Sequence, residues 1–150
     1  MKIICLLSAL FLLLAADPVP GGAPSGQGVL IVQVAGFENN TGNARLLLFD
    51  SSGKKHFPSQ DDKAYIKKVQ SIQANKAVFI LEGLPYGDYA ISVHHDENAD
   101  GEVNTNWLGI PKEGLGASND AKGSFGPPSF DKARVTLDKA EITITINMVN

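Results

Sequence analysis

Cysteine is nearly missing from this 150-residue chain, with Cys5 alone near the start. One cysteine cannot form an internal disulfide, and an exported domain without one must be held by its core or by a bound metal. Aromatic residues make up only 7%, with a single Trp. Basic residues number 13 against 16 acidic ones, for a formal charge of −3, and they form no stripe along the chain. A nucleic-acid partner is therefore not expected, because readers of nucleic acid need a concentrated basic face. No apolar run reaches the roughly 20 residues that would span a bilayer. What remains is 43% apolar and 19% charged, with 15 Gly and 8 Pro. That excludes a disordered chain and suggests one domain of short strands and many turns.

The N-terminus reads as a signal peptide. Lys2 is the only early charge, Ile3 to Leu14 is apolar, and Ala15-Ala16 precede Asp17-Pro18. This is the charged, apolar, small-residue order of a cleaved secretory leader. Residues 1–16 are assigned to it, which places the protein in the periplasm or outside the cell. Cys5 opens the apolar run, whereas a lipid-anchored protein carries its cysteine at the end, so no lipid anchor is expected. After cleavage no cysteine is left, which excludes thiolate catalysis and cysteine zinc sites. Residues 17–27, with Pro18, Pro20 and Pro24 among glycines, form a flexible linker. The folded domain is expected over residues 28–150.

Seven short strands can be read within it. Val29–Ala35 is β-branched, and Ala44–Phe49 is continuous enough to be buried on both faces. Ala64–Ile72 is weaker, interrupted by Lys67-Lys68; Ala77–Leu81 is clear. Asp88–His95 alternates, Arg134–Leu137 is short, and Ile142–Met148 alternates with Ile142, Ile144, Ile146 and Met148 on one face. No segment has a convincing helical period, and no repeat recurs at a fixed interval. These strands predict an all-β protein, an antiparallel seven-stranded Greek-key sandwich with one long irregular loop. Phe79 to Val93, a strand, a Leu84-Pro85-Tyr86-Gly87 turn and a strand led by Tyr89, resembles the transthyretin-like (prealbumin) sandwiches. These include the carboxypeptidase regulatory domains. The resemblance implies a fold and no chemistry.

The block from His94 to Asn104 carries the chemistry. With Asp96 as position one, oxygen side chains fall at three (Asn98), five (Asp100) and nine (Asn104), Gly101 sits at the turning position six, and Glu102 would offer its carbonyl at seven. This is the spacing of a calcium loop. Position twelve is Trp107 and not a bidentate Glu, so the reading is a helix-free loop that borrows a ligand from Asn106, Glu113 or Asp120. Few carboxylates imply weak binding of Ca2+, with Kd ~0.1–1 mM. The competing reading is a polar turn whose Asx side chains bond their own backbone. His95 shares the inward beat of Tyr89, Ile91 and Val93, and is expected beneath the loop, bonding loop backbone or Asp96. His94 falls on the other face with Ala90 and Ser92.

From Trp107 to Phe130 the strand pattern stops. Gly109-Ile110-Pro111-Lys112-Glu113-Gly114, Ser118-Asn119 and Phe125-Gly126-Pro127-Pro128 follow His95-Asp96-Glu97-Asn98, Asp100-Gly101 and Asn104-Thr105-Asn106. Together these resemble a bacterial exported family carried under a domain-of-unknown-function label numbered 2141. Asn104 stands where that family often has Asp, Asp100 where Asn is common, and Leu115 and Ala117 replace positions that are often aromatic. The resemblance implies export and a sandwich, and no established reaction.

Two functions follow. In the first, a monomeric, non-enzymatic exported module uses its calcium loop to order one end of the sandwich, with Trp107, Ile110 and Phe125 facing a protein partner or small ligand, and His95, Asn106, Glu113, Ser118 and Asn119 as ligands or supports. Those three apolar residues could equally form the loop's own core. In the second, a hydrolase brings His95, Asp96, Glu113 and Ser118 to one cleft. The two differ in what Glu113 and Ser118 do: the module spends them on backbone groups or metal, and the hydrolase leaves them free.

Overall fold

The computed structural model describes residues 26–150; the expected signal peptide and most of the linker lie outside the described residues. Eight strands occur in the order β1 (Gln27–Ala35), β2 (Asn43–Asp50), β3 (Ile66–Ser71), β4 (Lys76–Pro85), β5 (Gly87–Asp96), β6 (Leu115–Ala117), β7 (Val135–Leu137) and β8 (Glu141–Asn147). A single helical turn, α1 (Phe130–Ala133), and three 3-10 turns fill the connections. Among the described residues no helix is long and apolar enough to cross a membrane.

The chain is all-β, in two sheets. One has the order β4-β1-β8, and the other β3-β2-β5-β6, with β7 also on β5. Period-2 alternation puts Leu30, Val32 and Val34 of β1, Leu46 and Leu48 of β2, Phe79 and Leu81 of β4, Ile91 and Val93 of β5 and Ile146 of β8 between the sheets. Burial of these side chains is the main term holding the domain, since no disulfide contributes. Tyr89 joins them and its hydroxyl donates to the Pro85 carbonyl at 2.7 Å, fixing the β4–β5 corner.

The expected pattern needs two corrections. Among the described residues there are eight strands, not seven, because β6 joins β7 on the far edge of β5: β6 pairs with Ser92–His94 and β7 with Gly87–Tyr89. Three residues of Leu-Gly-Ala carry no readable alternation. Nor is the sandwich wholly antiparallel, since β1 and β8 run parallel from Val29↔Glu141 to Ala35↔Asn147. Alternation reports which face is buried, not strand direction. The two-sided burial expected of β2 has a structural cause. Beyond the sheet, Phe49 packs with Ala90, Ala117, Phe130 and Ala133, and Phe57 joins them. Phe57 meets Phe49 and Phe130 edge-on at centroid distances of 5.6 and 6.3 Å.

Neighbouring positions on β4 test the register. Phe79 is buried and Ile80 is 55% exposed. Phe79→Ala should cost about 3–5 kcal/mol, and Ile80→Ala about 1 kcal/mol or less, as read from denaturant midpoints. Equal losses would refute the assigned facing.

Candidate functional site

Strand β5 ends at Asp96, so the acidic loop starts from the most enclosed strand of the larger sheet. Asp96 is buried. Its Oδ1 accepts the Asp100 N–H at 3.1 Å and its Oδ2 the Gly101 N–H at 3.0 Å. The Arg45 guanidinium of β2 lies 3.8 Å from Oδ2. Gly101 takes φ +83°, the sharp turn expected at position six. Gly42, at φ +68°, lets the β1–β2 turn pass so close that a Cβ would strike the Asp96 carbonyl.

The outer loop side chains converge on one another. Asn98 Nδ2 donates to Asp100 Oδ2 at 2.7 Å and Asn104 Oδ1 at 2.9 Å, and Asn104 Nδ2 donates to Asp100 Oδ2 at 3.1 Å. Asp100 Oδ1 accepts the Glu102 N–H at 2.8 Å. That N–H, with the Asn104 and Asn98 amides, holds the Asp100 carboxyl below its ordinary pKa. Among the described residues no three His, Cys, Asp or Glu side chains are grouped to hold a metal. A cation here would have to draw on amide and backbone oxygens beside Asp100. Those amides meet at hydrogen-bond distance, and rotating either about its terminal torsion turns oxygen toward the centre.

Glu113 pins the loop from behind. It is buried, and its carboxylate accepts the Glu97 N–H at 3.1 Å and the Asn104 N–H at 3.0 Å, while His94 Nε2 lies 2.9 Å from Oε2. Burial raises its pKa, but the Asn104 N–H, His94 and the Glu97 N–H outweigh that and hold it below the ordinary value. Sequence reasoning gave His94 only a strand face. Its contact with Glu113 spans 19 residues and leaves no local signature.

Of the groups that the hydrolase reading needs, Ser118 is committed to the backbone. Ser118 is fully buried; its hydroxyl accepts the Ile91 N–H at 3.0 Å and donates to the Ala133 carbonyl. It thus fills the gap between β6 and β7 on β5's edge. Asn119 donates to the Arg134 carbonyl at 2.8 Å. His95 is buried on the opposite face, edge-on to Phe37. Its Nε2 lies 2.9 Å from the Thr41 carbonyl, and its Nδ1 is 3.6 Å from Glu97 Oε1 without a hydrogen bond. The backbone bond expected of His95 is therefore made to the β1–β2 turn and not to the acidic loop.

Beyond Asn104 the chain forms a small hairpin, closed by the Thr105–Pro111 bridge and by Lys112 N–H to the Asn104 carbonyl at 2.9 Å. Asn106 organises its tip. Its Oδ1 accepts the Leu108 and Ile110 N–H groups at 2.9 and 3.0 Å, and its N–H donates to the Ile110 carbonyl. The tip carries Trp107 at 90%, Leu108 at 60% and Ile110 at 55% exposure, and Phe125 in the next loop is fully exposed. These side chains face solvent and are not the loop's own core.

A family model described as "Uncharacterized protein conserved in bacteria (DUF2141)" matches residues 32–145. No curated protein and no solved structure matches the chain.

Substituting Glu113→Gln removes the charge that two N–H groups and His94 address, and should cost about 1–3 kcal/mol at pH 7. The sign with pH follows from the lowered pKa. The wild-type advantage is full above the ordinary glutamate value near 4.3 and disappears as pH falls through the lower folded-state value. Urea unfolding at pH 7 and in acid checks this; a gap that does not close in acid would mean that the carboxylate charge contributes nothing.

Proposed function

The chain belongs to this uncharacterised bacterial family, and on that premise we propose that it is an exported, non-enzymatic binding module on a transthyretin-like sandwich. Its working end is the loop from Asp96 to Glu113, and its contact surface is the hairpin tip at Trp107, Leu108 and Ile110. The observation that carries the reading is that tip. Three large apolar side chains, among them Trp107 at 90% exposure, are displayed within four residues on a backbone fixed by Asn106. Exposed apolar clusters of this kind mark interaction sites. The use of Glu113 and Ser118 on backbone groups supports a module over a hydrolase. Export rests on the leader-like residues 1–16.

Calcium completes the proposal. Asn98, Asp100 and Asn104 would hold the ion, with the Glu102 carbonyl and the free lone pairs of Asp96. The ion would supply charge neutralisation and would stiffen the base of the hairpin. Competition from the loop's own hydrogen bonds keeps the affinity in the weak range.

Thermal unfolding in chelator and in calcium tests this directly. With Kd ~0.1–1 mM, calcium at ~5 mM should add about 1–2 kcal/mol, a rise of several degrees in Tm. Magnesium should do less, and Asp100→Ala should abolish the response. No rise at that concentration would remove calcium from the proposal and leave the loop as a hydrogen-bonded turn.

A further inference from the structure

A second apolar feature lies elsewhere on the molecule. A depression of about 480 Å³ lies beside the larger sheet, with Phe57 and Phe130 in its wall, Ser129 beside them and Lys54 and Lys55 at its rim. Lys54 is paired with Asp131 at 2.8 Å, while Lys55 makes no ion pair among the described residues. The hairpin base has the opposite sign: Glu97, Asp100 and Glu102 stand on residues 97–112 against Lys112 alone. The pocket and the tip do not meet within one chain. β2 leads from Asn43, opposite Asp96, to Asp50, opposite Tyr89, so strand rise alone puts roughly 20 Å between the loop base and Ser51.

We propose that the Trp107 tip of one copy docks into the Phe57–Phe130 pocket of a second copy, with the acidic hairpin base against Lys55. The proposal rests on the reading of the tip as a contact surface and departs from the monomer expected from sequence. The indole would stack edge-on against the phenylalanines and lie beneath a lysine ammonium. Because tip and pocket are different surfaces, a docked pair keeps one free tip and one free pocket, and the association is head-to-tail and open-ended. Three side chains cover less area than a standard stable interface, so the association is weak, at about 0.1–1 mM.

Sedimentation equilibrium across that range, in chelator so that no cation neutralises the hairpin base, on protein obtained by expressing the whole chain, measures it. Wild type should gain average mass with concentration. Trp107→Ala and Lys55→Glu, both exposed and therefore tolerated by the fold, should each weaken self-association at least tenfold. The decisive sample is their equimolar mixture: one variant keeps the pocket and the other keeps the tip, so the mixture should form a heterodimer and stop there. A wild-type mass that stays monomeric, an associating Trp107→Ala, or a mixture no heavier than its components would each overturn the proposal. The calcium response does not depend on the pocket, so its outcome separately decides the calcium-ordered module.

Discussion

The far edge of β5 has to be satisfied along its whole length, and no single strand does it. β7 covers Gly87–Tyr89 and β6 covers Ser92–His94. Ile91, between them, gives its N–H to the Ser118 hydroxyl, which reaches on to Ala133. A buried backbone N–H without a partner costs about as much as the hydrogen bond it lacks, so the break between β6 and β7 is tolerable only because a hydroxyl stands in it. Much of the rest follows from that break. The chain leaves the edge after β6, and Phe130 and Ala133 cover the outer face of the sheet before β7 returns. Asn119 and Asp120 tie the excursion to Arg134 and to Asn147 of β8. A serine that sequence alone could draw into a catalytic triad is a structural member of the sheet.

The acidic loop solves a related problem with carboxylates. Asp96 and Glu113 are both buried, and each is surrounded by N–H groups of residues 97–104. Two anions at the base therefore gather the backbone of the loop around themselves, which compensates their desolvation and also shapes the loop. The outer ring of Asn98, Asp100 and Asn104 is drawn together by its own hydrogen bonds. Under the calcium proposal, a metal entering that ring would exchange amide–carboxylate bonds for coordination and would not build the loop from disorder. The gain would therefore be small, in line with the weak affinity that the low carboxylate count predicts.

What was legible in the sequence is what repeats locally. Apolar and β-branched runs located β1, β2 and β4, and alternation located β5 and β8 and put His95 inside with Tyr89, Ile91 and Val93. Gly101 was readable as a turn because only a residue without a side chain suits φ +83° there. What could not be read depends on distant partners. The parallel β1–β8 pairing joins residues over a hundred positions apart, and β6 is too short for alternation to register. Glu113 and Ser118 were visible as polar residues in a loop, yet their roles are set by backbone N–H groups of other segments, which every residue type presents alike. Composition said nothing of Lys54 and Lys55 beside Phe57 and Phe130, since the pocket is assembled from two stretches of irregular chain.

Rigidity connects the loop to its tip. Glu113 fixes the hairpin at its base and Asn106 fixes it at its end, so Trp107, Leu108 and Ile110 sit on backbone that is already ordered. Binding by a loose loop loses chain entropy on association, about 1–2 kcal/mol for each backbone residue fixed, and three exposed side chains cannot offset much of that. A tip held in place by hydrogen bonds avoids that loss. The same ordering bears on the cost of leaving Trp107 in water. A flexible segment would fold its indole back on the nearest apolar surface, whereas a hairpin closed at both ends holds it away. The exposure of Trp107 is thus a consequence of the polar residues around it, and the acidic loop shapes the tip through the geometry it imposes on the residues that follow it.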